Sequence, residues 1–148
     1  MVIDVRMLGP GDEAALARVA EHVFDNAIDP ALTREFLADP RHHIAVATDD
    51  GLVVGFASGV HYVHPDKAAE LWINEVGVAP SHQRRGLGRA ALAALLAHGR
   101  SLGCVTAWVL TDRCNAAARG LYSRLSGIEG DDGLGENLRG FVFRLGAP

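Results

Sequence analysis

Short apolar runs rich in β-branched residues, separated by turn formers, occupy much of the chain, and a few stretches instead space their apolar residues helically. Residues 2–7 alternate weakly and predict a first strand. Gly9-Pro10-Gly11-Asp12 is a turn whose Asp12 is placed to cap a helix over 13–24, with Leu16, Val19, Ala20 and Val23 on one face. Asp29-Pro30 opens a second short helix through about Ala38, with proline at its first position, and Asp39-Pro40 ends it. Strands over 43–48 and 52–63 come next, joined by Asp49-Asp50-Gly51. After the loop His64-Pro65-Asp66-Lys67, another strand covers 70–78 and Ala79-Pro80-Ser81 breaks it. Leu92, Leu95, Leu96, Gly99 and Leu102 give helical spacing over 86–102, and Gly103 stops that helix. A buried-type strand over 104–110, a helix over 115–125 capped by Asn115, a Gly- and Asp-rich loop over 127–137 with a short strand at its start, and a last strand over 141–145 complete the chain. Three strands in a meander followed by strand–helix–strand crossovers predict an α/β fold, a mixed sheet with helices on both faces.

Composition narrows the class. A chain of 148 residues fits one domain over 1–148, and 49% apolar with 22% charged residues excludes wholesale disorder. The longest apolar run, residues 90–97, is far short of the ~20 a membrane span requires. Asp4 and Arg6 interrupt the first ten residues, so no secretory signal is expected. Cys104 and Cys114 have neither zinc spacing nor a disulfide pattern. The histidine pairs His42/His43 and His61/His64 point to opposite faces of their strands and make poor chelates, so no metal is expected. A cytoplasmic protein without a membrane partner is the expectation.

Charge then locates a ligand. Residues 79–128 hold seven arginines and one acid, Asp112, a net +6, whereas the remainder of the chain carries −10. An anion should sit on the middle third, and the acidic remainder, including Glu70, Glu75, Asp131, Asp132 and Glu136, should attract a cation and repel nucleic acid. The anion's place is Gln83-Arg84-Arg85-Gly86-Leu87-Gly88-Arg89-Ala90, between a strand and the long helix. The first N–H groups of a helix lack intrahelical partners and carry the positive end of its dipole, so together they bind phosphate. Glycines at 86 and 88 allow close backbone approach, and the arginines add charge-assisted contacts, which suits a diphosphate. Gly86-x-Gly88-x-x-Ala91 also matches a dinucleotide-binding pattern, but seven residues and a proline separate it from the strand, and only 62 residues remain for the alternating elements that pattern needs.

Gln83-x-x-Gly86-x-Gly88-x-Ala90, the preceding strand Trp72-Ile73-Asn74-Glu75-Val76-Gly77-Val78 and the later Asn115-x-x-Ala118-x-x-Leu121-Tyr122 together resemble the three landmarks of the GNAT superfamily of N-acetyltransferases. The resemblance implies a mostly antiparallel central sheet of six to seven strands and acetyl-CoA as co-substrate. By it, main-chain amides over 84–89 (Arg84, Arg85, Gly86, Leu87, Gly88 and Arg89) hold the pyrophosphate, with Gln83 beside them. Val76, Gly77 and Val78 would pair with the pantetheine arm, Val78 N–H would polarise the thioester carbonyl, and Asn115 would touch the cofactor as well as cap its helix. Within the superfamily the chain is most similar to aminoglycoside 3-N-acetyltransferases, through residues 73–78, the run His82-Gln83-Arg84-Arg85-Gly86, and Asp112 ahead of the Asn115–Tyr122 helix. It departs from them in having Glu rather than Asp at the base position.

Transfer from a thioester to nitrogen needs a neutral amine, and an alkylammonium titrates near about 10.4, so a base must act, with an acid for the departing sulfur. Glu75 breaks an apolar strand on the face of Leu71 and Ile73, where burial would raise its pKa; pairing with an arginine is the alternative reading. Tyr122 lies two helical turns after Asn115, on the same face, and is the acid candidate; a core aromatic packed with Leu121 and Leu125 is the alternative. The expected acceptor is a cationic small-molecule amine, an aminoglycoside first, held by Glu75 and Asp112, with another amine, an amino-sugar or a peptide or protein amine as alternatives. A non-catalytic acetyl-CoA-binding module is a further one. Members of the superfamily are often dimers, and the strand over 141–145 is a candidate contact in a homodimer.

Overall fold

Seven strands form one sheet in the computed structural model of the chain, which describes residues 2–130 and 138–146. They are β1 (Ile3–Leu8), β2 (His42–Asp49), β3 (Leu52–His64), β4 (Lys67–Val78), β5 (Thr106–Asp112), β6 (Ile128–Gly130) and β7 (Leu138–Arg144). Their order across the sheet is β1-β2-β3-β4-β5-β7-β6, and every neighbouring pair is antiparallel except β4 with β5. Three α-helices complete the fold: α1 (Pro30–Ala38), α2 (Leu87–Ser101) and α3 (Ala116–Arg124). The mixed, mostly antiparallel sheet with helices on both faces agrees with the expectation from sequence.

Local chemistry explains the helix ends. Asp29 caps α1 by accepting from the backbone N–H of Ala31 and Leu32 at 2.7 and 3.0 Å, and Pro30 presets the first turn. Ser101 and the left-handed Gly103 close α2. Leu92 and Leu95 of α2 are fully buried, each burial worth roughly 1.5–3 kcal/mol before conformational costs. They pack with α3 on one face of the sheet, against Leu71, Ile73, Ala107, Phe141 and Phe143. On the other face α1 and the segment before it cover Ile44, Val46, Val54 and Phe56.

That preceding segment departs from the expected helix over 13–24. Only Glu13–Ala17 coils, as a 3-10 turn, and the chain then runs irregularly to Asp29. Val53 donates its N–H to Arg18 O and accepts from Ala20 N–H, both at 2.8 Å, so Val19 pairs with β3 as an isolated bridge. β-Branched Val19 and Val23 favour that extended pairing over a helix, and Asp12 binds Gly9 N–H and Arg6 instead of capping one. The loop expected over 127–137 begins with the short β6; residues 131–137 lie outside the described residues.

Two irregularities of β4 shape its neighbourhood. Its ladder with β5 runs only from Glu70–Thr106 to Trp72–Trp108, and both strands continue past it, β4 to Val78 and β5 to Asp112. The sheet therefore splits between them. On the other edge of β4, Ser58 pairs with Glu75 while its neighbour Gly59 pairs with Ile73, so Asn74 is an extra, bulged residue. One extra residue reverses the alternation, and Glu75 lies on the face opposite Leu71 and Ile73. This corrects the placement expected from simple alternation: Glu75 shares its face with Phe56 and Ser58, beneath the 18–25 segment.

Candidate active site

The turn between β4 and α2 is shaped by left-handed backbone. After the 3-10 turn Pro80–His82, Arg84 and Gly86 adopt left-handed φ of 63° and 76°, and α2 starts at Leu87. Left-handed residues among right-handed ones turn successive N–H groups toward one concavity, and the first amides of α2 add to it. Gly86 is needed for its φ, since nothing lies within 4 Å of where its Cβ would be. Gly88 serves a different end: a Cβ there would come within 3.2 Å of Val78 Cγ2, so the glycine lets α2 seat tightly on β4. Gln83 Nε2 donates to Val78 O at 3.3 Å, and His82 Nε2 bonds Asp49 Oδ2 at 3.0 Å, which ties the turn to β4 and β2.

A cleft of about 900 Å³ runs from this turn into the split of the sheet. Its walls bring together Glu75, Val76, Gly77 and Val78 of β4, Gln83, Arg84, Gly86, Leu87, Gly88 and Arg89 of the turn and α2, and Asn115 and Tyr122 of α3. Arg85 belongs to the same turn without lining the cleft. Asp112 does not line it either; its Oδ1 accepts from Cys114 N–H at 2.7 Å and shapes the approach to α3. Asn115 caps α3 by accepting from Ala118 N–H at 3.0 Å, and it also lines the cleft.

The two titratable candidates differ in setting. Glu75 is solvent-exposed within the cleft, and its carboxyl pKa is raised, first by the surrounding protein mass and then by the nearby Asp25. Tyr122 is buried, its ring packed on Phe141 and Phe143 with centroids 5.2 and 6.1 Å away, and burial raises its pKa. The core role and the cleft position thus coexist in one side chain.

His22, Val23 and Asp25 also line the cleft, and sequence reasoning missed them because His22 and Val23 sit in the stretch expected to be helical and Asp25 directly follows it. Gly77 makes their approach possible, since a Cβ there would lie 2.6 Å from Val23 O. A second cavity of about 980 Å³, between this segment and α1, shares His22 and Asp25 with the first and carries Glu13 and Glu21. The available signal was Asp25-Asn26, turn formers at the end of the apparent helix.

At the far end of α2, His98 Nε2 approaches His43 Nδ1 at 3.2 Å and His43 Nε2 approaches His61 Nδ1 at 2.7 Å. The pairs suggested by sequence are near neighbours in the chain, whereas strand register and α2 create this row. Among the described residues no group of three or more His, Cys, Asp or Glu is arranged to hold a metal ion, and no helix is long and apolar enough to cross a membrane.

Comparison with known proteins identifies the family. Residues 14–128 match the family described as acetyltransferase (GNAT) family, and the chain belongs to it. N-alpha-acetyltransferase RimI of Mycobacterium tuberculosis is 33% identical over 122 residues, which cover 81% of this chain and 75% of that protein. Mycothiol acetyltransferase of Thermomonospora curvata is 36% identical over 134 residues, 83% of this chain but only 43% of that longer protein. The solved aminoglycoside acetyltransferase HMB0005, from an uncultured soil metagenomic sample, superposes with a TM-score of 0.72 at 26% identity over 88% of this chain and 94% of that one. Arabidopsis thaliana NAA60, solved with acetyl-CoA, shares the fold at a TM-score of 0.73 and 15% identity, over 97% of this chain and 98% of that one.

Proposed function

From the chain's membership of the GNAT acetyltransferase family, we propose that it moves the acetyl group of acetyl-CoA to a primary amine that arrives as a cation, with Glu75 as general base and Tyr122 as general acid. The observation that carries this reading is the single cleft joining an amide-rich turn, a split strand edge and the raised-pKa Glu75. Acetyl-CoA supplies an activated acyl group on sulfur. The amides over 84–89, with Arg84 and Arg89 beside them, fit its diphosphate, and the edge of β4 over 76–78, past the end of the β4–β5 ladder, fits the amides of its arm.

Glu75 and Asp25 attract the ammonium, and Glu75, made more basic by its surroundings, takes a proton from it directly or through water. Val78 N–H is the candidate donor to the carbonyl oxygen as charge develops there. The freed nitrogen attacks the thioester carbon; as the C–S bond breaks, Tyr122, which holds its proton firmly at neutral pH, delivers it to the departing sulfur, and the second nitrogen proton returns to its phenolate oxygen as the amide forms. For the acceptor, the amino terminus of a polypeptide is the first reading, supported by the match to an N-alpha-acetyltransferase across 75% of that protein. Such an amine titrates near about 8, within easier reach of a carboxylate base than an alkylammonium. An aminoglycoside is the second, favoured by the likeness to HMB0005 and by the carboxylates of Asp25 and Glu75 facing one space.

Release of free thiol from acetyl-CoA, measured with peptides, aminoglycosides, polyamines and amino acids, tests the proposal. Amine-dependent release that falls at least a hundredfold in Glu75→Gln supports it, and release unaffected by that change contradicts it.

A further inference from the structure

The bulge that turns Glu75 places it on a face whose cover is partial. α1 packs on β2 and the 3-10 turn on β3, while α2 and α3 lie on the opposite face. Over β4, β5 and β7 no described helix covers the sheet on the side of Glu75. Trp72 and Trp108, register partners across the parallel ladder, lie there with ring centroids 3.7 Å apart at 71°. Leu110 and Val142 extend the surface, 37% and 38% exposed.

Both indoles are fixed in place. Trp72 Nε1 donates to Oδ1 of the bulged Asn74 at 2.8 Å, and Trp108 Nε1 donates to the Tyr62 hydroxyl at 3.2 Å. That hydroxyl in turn donates to Glu70 Oε2 at 2.6 Å, so the nearest carboxylate on this surface is already engaged. With every polar atom satisfied sideways, the half-buried rings offer an apolar, preorganised shelf continuous with the base.

We propose that this shelf of Trp72, Trp108, Leu110 and Val142 reads the acceptor, and that it fits an amino-terminal polypeptide segment with a large apolar side chain shortly after the reacting amine. The proposal rests on the acetyl-transfer reading above and names its substrate. Distance supports a peptide: Trp72 is three residues from Glu75 along β4, roughly 10 Å or less at strand rise. An extended peptide advances ~3.3–3.6 Å per residue, so an amine at Glu75 brings a side chain within the first four residues over the indoles. Charge agrees, because a polycationic sugar needs carboxylates along its length, and the shelf itself presents apolar groups with Glu70 as its nearest carboxylate.

Trp72 and Trp108 are the only tryptophans of the chain, so their emission reports occupancy independently of catalysis. The experiment titrates alanine-initiated heptapeptides carrying Phe or Ser at positions two, three or four, following tryptophan emission and thiol release together. The expected result is a saturable emission change with a Phe peptide and a KM at least tenfold below that of its Ser counterpart. Leu110→Lys and Val142→Lys, at exposed positions that disturb no core, should remove that preference by raising the KM of a Phe peptide to that of its Ser counterpart, with the KM for acetyl-CoA unchanged. Trp72→Phe, which keeps an aromatic shelf and the Trp108 reporter, should retain most of it. Equal KM values for Phe and Ser peptides, a preference that survives both lysine variants, or efficient acetylation of aminoglycosides but of no peptide would overturn the proposal. Emission changes without acetyl transfer to any amine would instead count against the acetyl-transfer reading.

Discussion

The two ends of α2 are one helix on one sheet face, yet they treat polar groups in opposite ways. At its start, the left-handed turn and the first helical residues border the cleft, where the proposed diphosphate would meet their backbone N–H groups. At its end, His98 joins His43 and His61 in a row whose members complete one another, with His43 buried beneath. Binding sites leave donors for a visitor, and interiors leave none. Changes near the start should therefore alter turnover with little effect on stability, and changes near the end should do the reverse.

The largest expected effect is at the cleft. Glu75→Gln removes the proposed base, and kcat should fall on the order of 10²–10⁴-fold while the thermal midpoint stays within the scatter of the wild type. Steady-state thiol release beside a melting curve checks both halves of that statement.

Next comes the histidine row. Burial first, then the neighbouring His98 and His61, pushes the His43 pKa down to about 4, and burial also lowers that of His98. The folded protein thus keeps His43 neutral, while the unfolded chain binds a proton below about pH 6.5. Stability should be fully present above that pH and decline as pH falls through about 4, by roughly 3 kcal/mol for His43. Urea unfolding at pH 7 and pH 4.5 measures the loss, and His43→Leu should shrink the difference between the two without changing kcat at pH 7.

Tyr122→Phe is expected to cost less than the base, on the order of tenfold to a hundredfold in kcat, because thiolate is a fair leaving group without full protonation. The ring would keep its packing on Phe141 and Phe143, so unfolding free energy should hold. The smallest effect is Gly86→Ala: with open space around the added Cβ, the cost is the left-handed φ alone, about 1 kcal/mol. Calorimetric titration should show acetyl-CoA binding weakened severalfold with packing intact.

How much the sequence discloses depends on the range of the interactions involved. The cap at Asp29, the glycine turn at 86 and the helical spacing over 92–99 are decided within a few residues, so they are readable directly. The bridge of Val19 to Val53, the bulge at Asn74 and the contact of His43 with both His61 and His98 are decided by partners distant in the chain, 18 and 55 positions away for the two histidines. Local periodicity carries no trace of such partners. For this reason Glu75 is identifiable as the odd residue of its strand but not its face, and Asp25, just past an apparent helix, shows no sign of reaching the cleft. Asp112, singled out by its position ahead of α3, turns out to brace the chain at Cys114.

A crystal structure of the protein with coenzyme A tests the central claim most directly. The account predicts both phosphates of the diphosphate within about 3 Å of backbone amides over 84–89, and the sulfur lying between Glu75 and Tyr122 in the split of β4 and β5. A diphosphate bound anywhere else on the chain, or a sulfur remote from both side chains, would contradict it.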